Sequence, residues 1–258
     1  MVDKMKVCVI GLGEIGFNLM TDLVEKNIDT IFGVDISDEK INLAKKKGFA
    51  AGKKIPLDYE VYVICVLLSD QVLAVVRETN FPKKSLIVIE STTKPGTCLE
   101  ILKIRPESKV VMFPHRFNAN DPEHRFFNLK RVIGAVNKKT LDEALVFYAR
   151  YMPENLLMPV PLDIAELCKP LENAYRYLQI AFAEELKLLC IEKNIDFEEL
   201  RKACNSKWNI EIMEARDGIG KHCLPKDINI INNFFKNNTF FKIAVNTDKK
   251  YRQYLDSL

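Results

Sequence analysis

A glycine-rich turn near the start of the chain constrains the fold more than any other sequence feature. Gly11, Gly13 and Gly16 follow the apolar run 6–10 and open a stretch, 15–26, with apolar residues at helical spacing. A strand, a glycine turn and a helix in this order are typical of a dinucleotide-binding unit, in which the helix N-terminus faces a pyrophosphate. The sequence therefore predicts a Rossmann-type fold.

An acidic residue after the second predicted strand indicates which dinucleotide this turn would bind. Asp35 follows the run 30–34 and lies about 20 residues beyond the glycine turn. A carboxylate there accepts hydrogen bonds from ribose hydroxyls and repels a 2′-phosphate, which favours NAD over NADP. A glycine turn needed only for packing is the alternative. The predicted NAD-binding residues are Gly11, Gly13, Glu14, Ile15, Gly16 and Asp35.

The order of predicted elements divides the chain into two parts. Strand signals alternate with helical stretches up to about residue 160, and only helical patterns follow, including a long helix over 164–193 that tolerates Pro170. We predict an α/β fold with a Rossmann-type doubly wound parallel sheet in an NAD-binding domain, 1–160, and an all-helical domain, 161–258. The predicted strands are 6–10, 30–34, 61–67, 86–90 and 110–113, with 49–51 and 131–136 as further candidates, and the other helices are 15–26, 38–47, 69–78, 197–204, 228–235 and 249–255.

Composition limits the partners and the location of the protein. A net charge of +3 with scattered basic residues shows no footprint for nucleic acid. No apolar run approaches the roughly 20 residues that a membrane-spanning helix needs, and the segment 1–6 does not resemble a signal peptide. Seven cysteines without a Cys-x-x-Cys pair and three histidines argue against a metal site. We expect a cytoplasmic protein that forms a homodimer through the long helix 164–193.

Three further segments carry groups suited to chemistry on a substrate. The segment 90–97 lies at the end of a predicted strand, where ligands of α/β sheets bind, although its hydroxyls could equally cap the next helix. Lys169 and Asn173 share one helix face and can hold a reacting oxygen, with a solvent-exposed lysine as the alternative. Cys223 lies in a predicted loop beside charged residues that favour a thiolate, although a lone cysteine is more often inert.

In order and spacing, these motifs resemble the UDP-glucose/GDP-mannose dehydrogenase family as far as about Asn232. The family pattern Ser-Thr-x-x-Pro-Gly-Thr is met by Ser91–Thr97, and the pattern Ala-Glu-x-x-Lys-x-x-x-Asn-x-x-Arg is met by Ala165–Arg176. The pattern Gly-x-Gly-Gly-(Ser/His)-Cys-x-x-Lys-Asp is met by Gly218–Asp227, with Lys221 in place of a glycine.

The resemblance implies an NAD-dependent oxidation of a primary alcohol on a sugar-like substrate, with a nucleotide sugar as the family's substrate class. In this family a cysteine adds to the aldehyde formed first, a second hydride leaves, and hydrolysis of the thioester yields a carboxylate. The resemblance implies Cys223 as the nucleophile, Lys169 and Asn173 as stabilisers of the oxyanion, and Asp227 and Thr92 as residues that position water and protons.

The chain also departs from the family pattern. Full-length members carry a third domain that grips the nucleotide, and this chain ends at Leu258 without it, which predicts a compact form. Two family glutamates fall at His115 and Ala119. His115 and Arg116 are predicted to bind an anionic substrate group, with hydrogen bonds from Arg116 to loop carbonyls as the alternative. Lys226 is a third candidate for binding substrate.

Two other functions fit parts of the pattern. β-Hydroxyacid dehydrogenases are about this size and share the Ser-Thr-x-x-Pro segment, the Lys-Asn pair and the Lys-Asp pair; they perform one hydride transfer, with Lys169 as acid and base here. Gly96-Thr97 and the residues around Cys223 favour the first family, whereas chain length favours the second. A nucleotide-binding protein of the same fold without redox chemistry is the third possibility.

Overall fold

A computed structural model of the chain describes residues 4–117, 121, 123–220 and 222–258. It divides into two units, Met1–Lys169 and Pro170–Leu258. Among the described residues, no helix combines the length and the apolar character needed to cross a membrane.

The first unit is built around one eight-stranded sheet in the order β3-β2-β1-β4-β5-β6-β7-β8. Neighbouring strands run parallel except β6 and β7, which pair antiparallel. The order reverses between β1 and β4, and ligands of such sheets bind at the carboxyl ends of the strands beside this switch point. The strands are β1 Lys6–Ile10, β2 Thr30–Val34, β3 Ala51–Gly52, β4 Val61–Ile64, β5 Leu86–Ile89, β6 Lys109–Met112, β7 Arg131–Ala135 and β8 Leu157–Pro159.

Helices flank this sheet, and apolar cores lie against both of its faces. In β4, Val61 and Val63 belong to one core, whereas Tyr62 and Ile64 belong to the other. Burial on both faces explains why the central strands are continuous apolar runs. The helices that precede the long one are α1 Glu14–Lys26, α2 Asp38–Lys46, α3 Ser69–Glu78, α4 Thr97–Ile104 and α5 Lys138–Tyr148.

The remaining regular elements are helical. They are α6 Leu162–Glu192, which contains Pro170, α7 Phe197–Asn205, α8 Cys223–Phe234 and α9 Phe240–Leu255. Phe197, Ala215 and Tyr251 belong to a small core within the second unit. The predicted fold class, an α/β Rossmann-type sheet followed by helices with one long member, is confirmed, with the antiparallel β7 as an addition.

Several predicted boundaries differ from the observed ones. The short third strand is Ala51–Gly52, and β8 was not predicted because its proline is typical of a boundary; an edge strand tolerates a proline, since it does not need every backbone donor. The predicted loop around Cys223 is wrong, because Cys223 is the first residue of α8. Pro225 is compatible with this start, since the first N–H groups of a helix have no intrahelical acceptor.

Candidate active site

In the glycine turn between β1 and α1, two glycines are required by packing and the third faces open space. Gly11 has a φ of +92°, and a Cβ there would lie 2.7 Å from the carbonyl oxygen of Cys65. A Cβ at Gly16 would lie 1.8 Å from the carbonyl oxygen of Gly11. At Gly13 the nearest atom is the Lys40 Nζ, at 4.0 Å. Gly11 and Gly16 are therefore required by packing, whereas Gly13 leaves space over the turn.

Asp35 lies at the end of β2 and fixes this turn. Its carboxylate accepts hydrogen bonds from the backbone N–H of Leu12, at 2.7 Å, and of Ser37, at 2.8 Å. The Lys40 Nζ lies 3.6 Å from the same carboxylate. Sequence reasoning missed Lys40, although its place in the first turn of α2, shortly after the acidic residue, was a usable signal.

The open side of Gly13 fits a dinucleotide phosphate. Glu14 and Ile15 begin α1, and the free N–H groups of a helix N-terminus favour an anion. The Lys40 ammonium borders the same space, 4.0 Å from the position of a Cβ on Gly13. The residues present therefore provide backbone donors, a cation and room for a pyrophosphate.

At the carboxyl end of β5, most polar groups of the segment 90–97 have structural partners. The hydroxyl of Ser91 donates to the carbonyl of Ile64 at 3.2 Å, and that of Thr97 donates to the carbonyl of Lys94 at 2.7 Å. Thr92 is buried, at 8% exposure. The Thr97 hydroxyl thus bonds the turn before α4 and caps no N–H group of that helix, while Thr92 remains a candidate for contact with substrate.

Glu166, from a distant part of the sequence, caps α4. Its carboxylate accepts hydrogen bonds from the backbone N–H of Gly96, at 2.8 Å, and of Cys98, at 2.7 Å. A carboxylate at the N-terminus of a helix satisfies donors that have no intrahelical acceptor. The family-like glutamate on the long helix therefore holds α4 in place.

A buried ion pair joins the ends of two strands and was missed by sequence reasoning. The Arg131 Nη2 donates to the Glu90 Oε2 at 2.6 Å and to the carbonyl of Phe113 at 2.7 Å. Burial raises the pKa of Glu90, and the charge of Arg131 opposes that rise. The pair links the end of β5, which precedes Thr92, to the start of β7, and the contact with Phe113 adds the end of β6, which precedes His115. The only sequence signal was an arginine at the start of an apolar run.

The structure gives His115 and Arg116 defined backbone contacts. The N–H of His115 donates to the carbonyl of Glu90 at 3.3 Å, which places it at the carboxyl edge of the sheet. The Arg116 Nη1 donates to the carbonyl of Lys130 at 2.7 Å, the loop contact that was the alternative to anion binding. Ala119, the other departure from the family pattern in this region, lies outside the described residues.

Within the second unit, three of the predicted site residues form one network. Asp227 is 1% exposed, and one carboxylate oxygen accepts a hydrogen bond from the Asn173 Nδ2 at 2.5 Å. The other oxygen pairs with the Lys226 ammonium. Cys223 is exposed, carries a free thiol and lies one helical turn before Asp227 on α8, so the two share a helix face. Cys223 is the first residue of α8, where backbone N–H groups have no intrahelical acceptor.

Lys169 lies on α6 one turn before Asn173 and is partly buried. Lys221, which replaces a family glycine, lies outside the described residues. In the part of the chain that the structure describes, no group of three or more His, Cys, Asp or Glu side chains is placed to hold a metal ion.

Two segments match known domain families. Residues 6–113 match the NAD binding domain of 6-phosphogluconate dehydrogenase, and residues 163–249 match the central domain of the UDP-glucose/GDP-mannose dehydrogenase family. The first match covers the glycine turn and Asp35, and the second covers Lys169, Asn173, Cys223 and Asp227. NAD as the predicted cofactor is thereby confirmed.

Full-length relatives agree with these matches. The UDP-N-acetyl-D-mannosamine dehydrogenase of Methanococcus maripaludis is 28% identical in an alignment that covers 87% of this chain and 60% of that protein. The chain thus spans about three fifths of the length of this curated relative. The structure of the UDP-D-ManNAc dehydrogenase from Pyrococcus horikoshii superimposes with a TM-score of 0.84 at 22% identity, covering 98% of this chain and 70% of that one.

The β-hydroxyacid dehydrogenase alternative is supported by fold alone. The 3-hydroxyisobutyrate dehydrogenase of Mycobacterium tuberculosis has a TM-score of 0.77 at 12% identity, covering 96% of this chain and 94% of that one. The segment that carries Cys223 and Asp227, in contrast, matches the nucleotide-sugar family. The chain therefore carries a segment similar to the central domain of the UDP-glucose/GDP-mannose dehydrogenase family after a segment similar to an NAD-binding domain.

Proposed function

We propose that the chain is an NAD-dependent dehydrogenase that oxidises the primary alcohol of a nucleotide sugar, such as UDP-N-acetyl-D-mannosamine, to the carboxylate. The observation that carries this proposal is the network in which Asn173 and Lys226, both partly buried, bind the buried carboxylate of Asp227 one turn from the exposed thiol of Cys223. Packing alone does not require a carboxylate to be buried with an amide and an ammonium as its partners beside an exposed nucleophile.

The glycine turn and Asp35 hold the cofactor in this proposal. Glu14 and Ile15 supply backbone donors to the pyrophosphate, Gly11 and Gly16 keep the turn tight, and Gly13 lets the phosphate approach. Asp35 keeps the turn in place through Leu12 and faces the ribose. When bound, NAD supplies the hydride acceptor for both oxidation steps.

Cys223 supplies the covalent step. Its thiolate forms a bond from Sγ to the aldehyde carbon, and the carbonyl π electrons move onto oxygen. Oxidation of this thiohemiacetal at the same carbon gives a thioester. Attack of water then breaks the carbon–sulfur bond, releases the carboxylate and returns the thiol.

The groups around Cys223 stabilise charge and handle protons. Lys169 and Asn173 donate hydrogen bonds to the oxygen that becomes negative when sulfur adds. Asp227 and Thr92 position the water and the protons that move. Lys226 is only 15% exposed and pairs with Asp227, so we assign it first to holding that carboxylate and second to contact with substrate. His115 and Arg116 face an anionic group of the substrate.

The activity test follows absorbance of the reduced cofactor. The chain is incubated with NAD and, separately, with UDP-N-acetyl-D-mannosamine, UDP-N-acetyl-D-glucosamine and 3-hydroxyisobutyrate. Reduction with a sugar nucleotide and none with the hydroxyacid is the expected result. Reduction with the hydroxyacid only would replace this proposal by the single-hydride reaction, and NAD binding without any reduction would favour a non-redox protein.

A homodimer through the long helix is the second part of the proposal. Tyr175, Phe182 and Leu189 are spaced by seven residues on α6, and their side chains are 63%, 59% and 49% exposed. Residues at this spacing form one apolar stripe, which a second copy of the helix can cover. We expect light scattering to give a dimer, and Phe182→Glu to shift it to a monomer. A wild-type monomer at working concentration would contradict this assignment.

We also propose a cytoplasmic location and a functional division near residue 160. Six cysteines form no disulfide, as expected in a reducing compartment: Cys8, Cys65, Cys98, Cys190, Cys204 and Cys223. The NAD-binding residues lie before the division, and Asn173, Cys223 and Asp227 follow it. Limited proteolysis in which NAD protects only sites before residue 160 would support the division, and equal protection on both sides would contradict it.

A further inference from the structure

The segment before Cys223 is held by a buried carboxylate that the proposed chemistry does not use. Asp248, on α9, is 6% exposed, and its Oδ1 accepts the backbone N–H of Ile219 at 2.7 Å. Its Oδ2 accepts the hydroxyl of Tyr177, from α6, at 3.0 Å. The same oxygen accepts the Arg252 Nε at 3.1 Å. Three donors from three segments thus meet on one side chain.

Arg252 extends this contact to the other side of the same peptide segment. Its Nη2 donates to the carbonyl of Ile219 at 2.7 Å, so both backbone groups of Ile219 are held by one ion pair on α9. Gly218 has a φ of +79°, and a Cβ there would lie 2.9 Å from the guanidinium carbon of Arg252. The guanidinium therefore lies directly against the backbone of the segment.

A second carboxyl group faces Asp248 from the long helix. Glu184 is fully buried, and in the described part of the chain neither of its carboxyl oxygens accepts a hydrogen bond, while its carboxyl group lies within hydrogen-bond reach of Asp248. An ionised carboxylate without a partner is costly to bury. Burial and the nearby charge of Asp248 raise the pKa of Glu184 to about 8, against the opposing charge of Arg252. A neutral acid next to Asp248 leaves that carboxylate free to bind its three donors.

We propose that Asp248, with Arg252, is a positioning residue that sets the place of the Cys223 thiol by clamping Ile219, four residues before it. The clamp acts through backbone groups and does not touch the reacting atoms. It rests on the proposed role of Cys223 for its effect on turnover, but its effect on the segment itself is independent of any activity.

The clamp is expected to affect the rate because it sets the distance between the Cys223 thiol and the carbon that it attacks. Ile219 is 2% exposed and is fixed on both its donor and its acceptor, so loss of the clamp lets the start of α8 shift. A displacement of about 1 Å at a reacting group can cost on the order of 100-fold in rate. The NAD-binding turn makes none of the hydrogen bonds of this clamp, so cofactor affinity is expected to remain unchanged.

Three variants test the clamp. Asp248→Asn removes the charge that holds Arg252, Arg252→Gln removes the guanidinium, and Arg252→Lys keeps the charge of that position. Asp256→Asn is the matched control, since it makes the same change at an exposed site just after α9. We expect kcat to fall roughly 10- to 100-fold in Asp248→Asn and Arg252→Gln, with partial rescue in Arg252→Lys, and the dissociation constant for NAD to remain at the wild-type value.

Two readouts do not depend on turnover. The rate of alkylation of Cys223 by iodoacetamide, measured by peptide mass spectrometry, is expected to change several-fold in Asp248→Asn and to stay unchanged in the control. In the wild type, hydrogen exchange at the Ile219 amide is expected to be as slow as in α9. Free exchange at Ile219, or an alkylation rate and kcat unchanged in a folded Asp248→Asn protein, would overturn the proposal. A wild type that is inactive but protected at Ile219 would contradict the proposed function and leave the clamp supported.

Discussion

The glycine turn and the start of α8 are held in place in opposite ways, the first by residues close in sequence and the second by a distant helix. In the turn, Gly11, Gly13 and Gly16 are close in sequence, and Asp35 follows on the neighbouring strand. At α8, the segment before Cys223 is fixed by Asp248, which lies 29 residues from Ile219. A site built from local geometry can be read from a motif, whereas a site held by distant helices cannot.

The largest expected effect concerns Cys223. Cys223→Ala should abolish formation of the carboxylate, a loss of three orders of magnitude or more, because the covalent route no longer exists. The dissociation constant for NAD should not change, since none of the contacts of the glycine turn involves this residue. Quantifying product by mass spectrometry and NAD binding by calorimetry measures both. Cys204→Ala, at a partly exposed thiol on α7, is the control and should behave as the wild type.

If Cys223→Ala still gave the full yield of carboxylate, the start of α8 would have no catalytic role that distinguishes it from the glycine turn. The start of α8 would then be a structural feature, and the single-hydride reaction would become the better account.

The second prediction compares two glycines within the glycine turn. Gly16→Ala should destabilise the protein by several kcal/mol or prevent folding, because its Cβ would lie 1.8 Å from the carbonyl oxygen of Gly11. Gly13→Ala should keep the melting temperature within a few degrees and weaken NAD binding roughly 10-fold or more, because the new methyl group enters the space assigned to phosphate. Thermal unfolding and NAD titration of both variants give the comparison. Unchanged NAD affinity in a folded Gly13→Ala protein would mean that the turn serves packing alone.

The smallest expected effect is a pH dependence of stability in the second unit. The pKa of Glu184 is raised from 4.5 to about 8 in the folded state, so folding binds a proton between these values. Its contribution to stability is therefore fully present below about pH 4.5 and is lost as the pH rises through about 8. Burial is the largest cause of this pKa shift; of the charged neighbours, Asp248 raises the pKa and Arg252 lowers it.

Glu184→Gln tests this dependence directly. The difference in unfolding free energy between wild type and variant should favour the wild type more at pH 5 than at pH 8.5, by a few kcal/mol at most, since one pKa unit corresponds to about 1.4 kcal/mol. Denaturant unfolding at both pH values measures it. Glu192→Gln, at an exposed position on the same helix, should show no such difference. An equal difference at both pH values would show that Glu184 is ionised when buried.

The parts of the molecule that could be predicted from the sequence are those held by interactions between residues close in sequence. The sheet, the glycine turn and Asp35 were predictable because apolar runs and glycines act locally. The roles of Glu166 and Arg131 were not, since Glu166 caps a helix 70 residues away and Arg131 pairs across 41 residues. Cys223 was found through a family resemblance, but its place at the start of a helix was missed because Gly220 and Pro225 favour a loop in isolation.

The central claim is that Cys223 extends an NAD-dependent alcohol oxidation to a second hydride transfer. The most direct measurement is the number of NADH molecules formed for each molecule of UDP-N-acetyl-D-mannosamine consumed, with the sugar nucleotide limiting and NAD in excess. The account predicts two NADH per sugar nucleotide in the wild type and at most one in Cys223→Ala. A ratio of one in both proteins would contradict it.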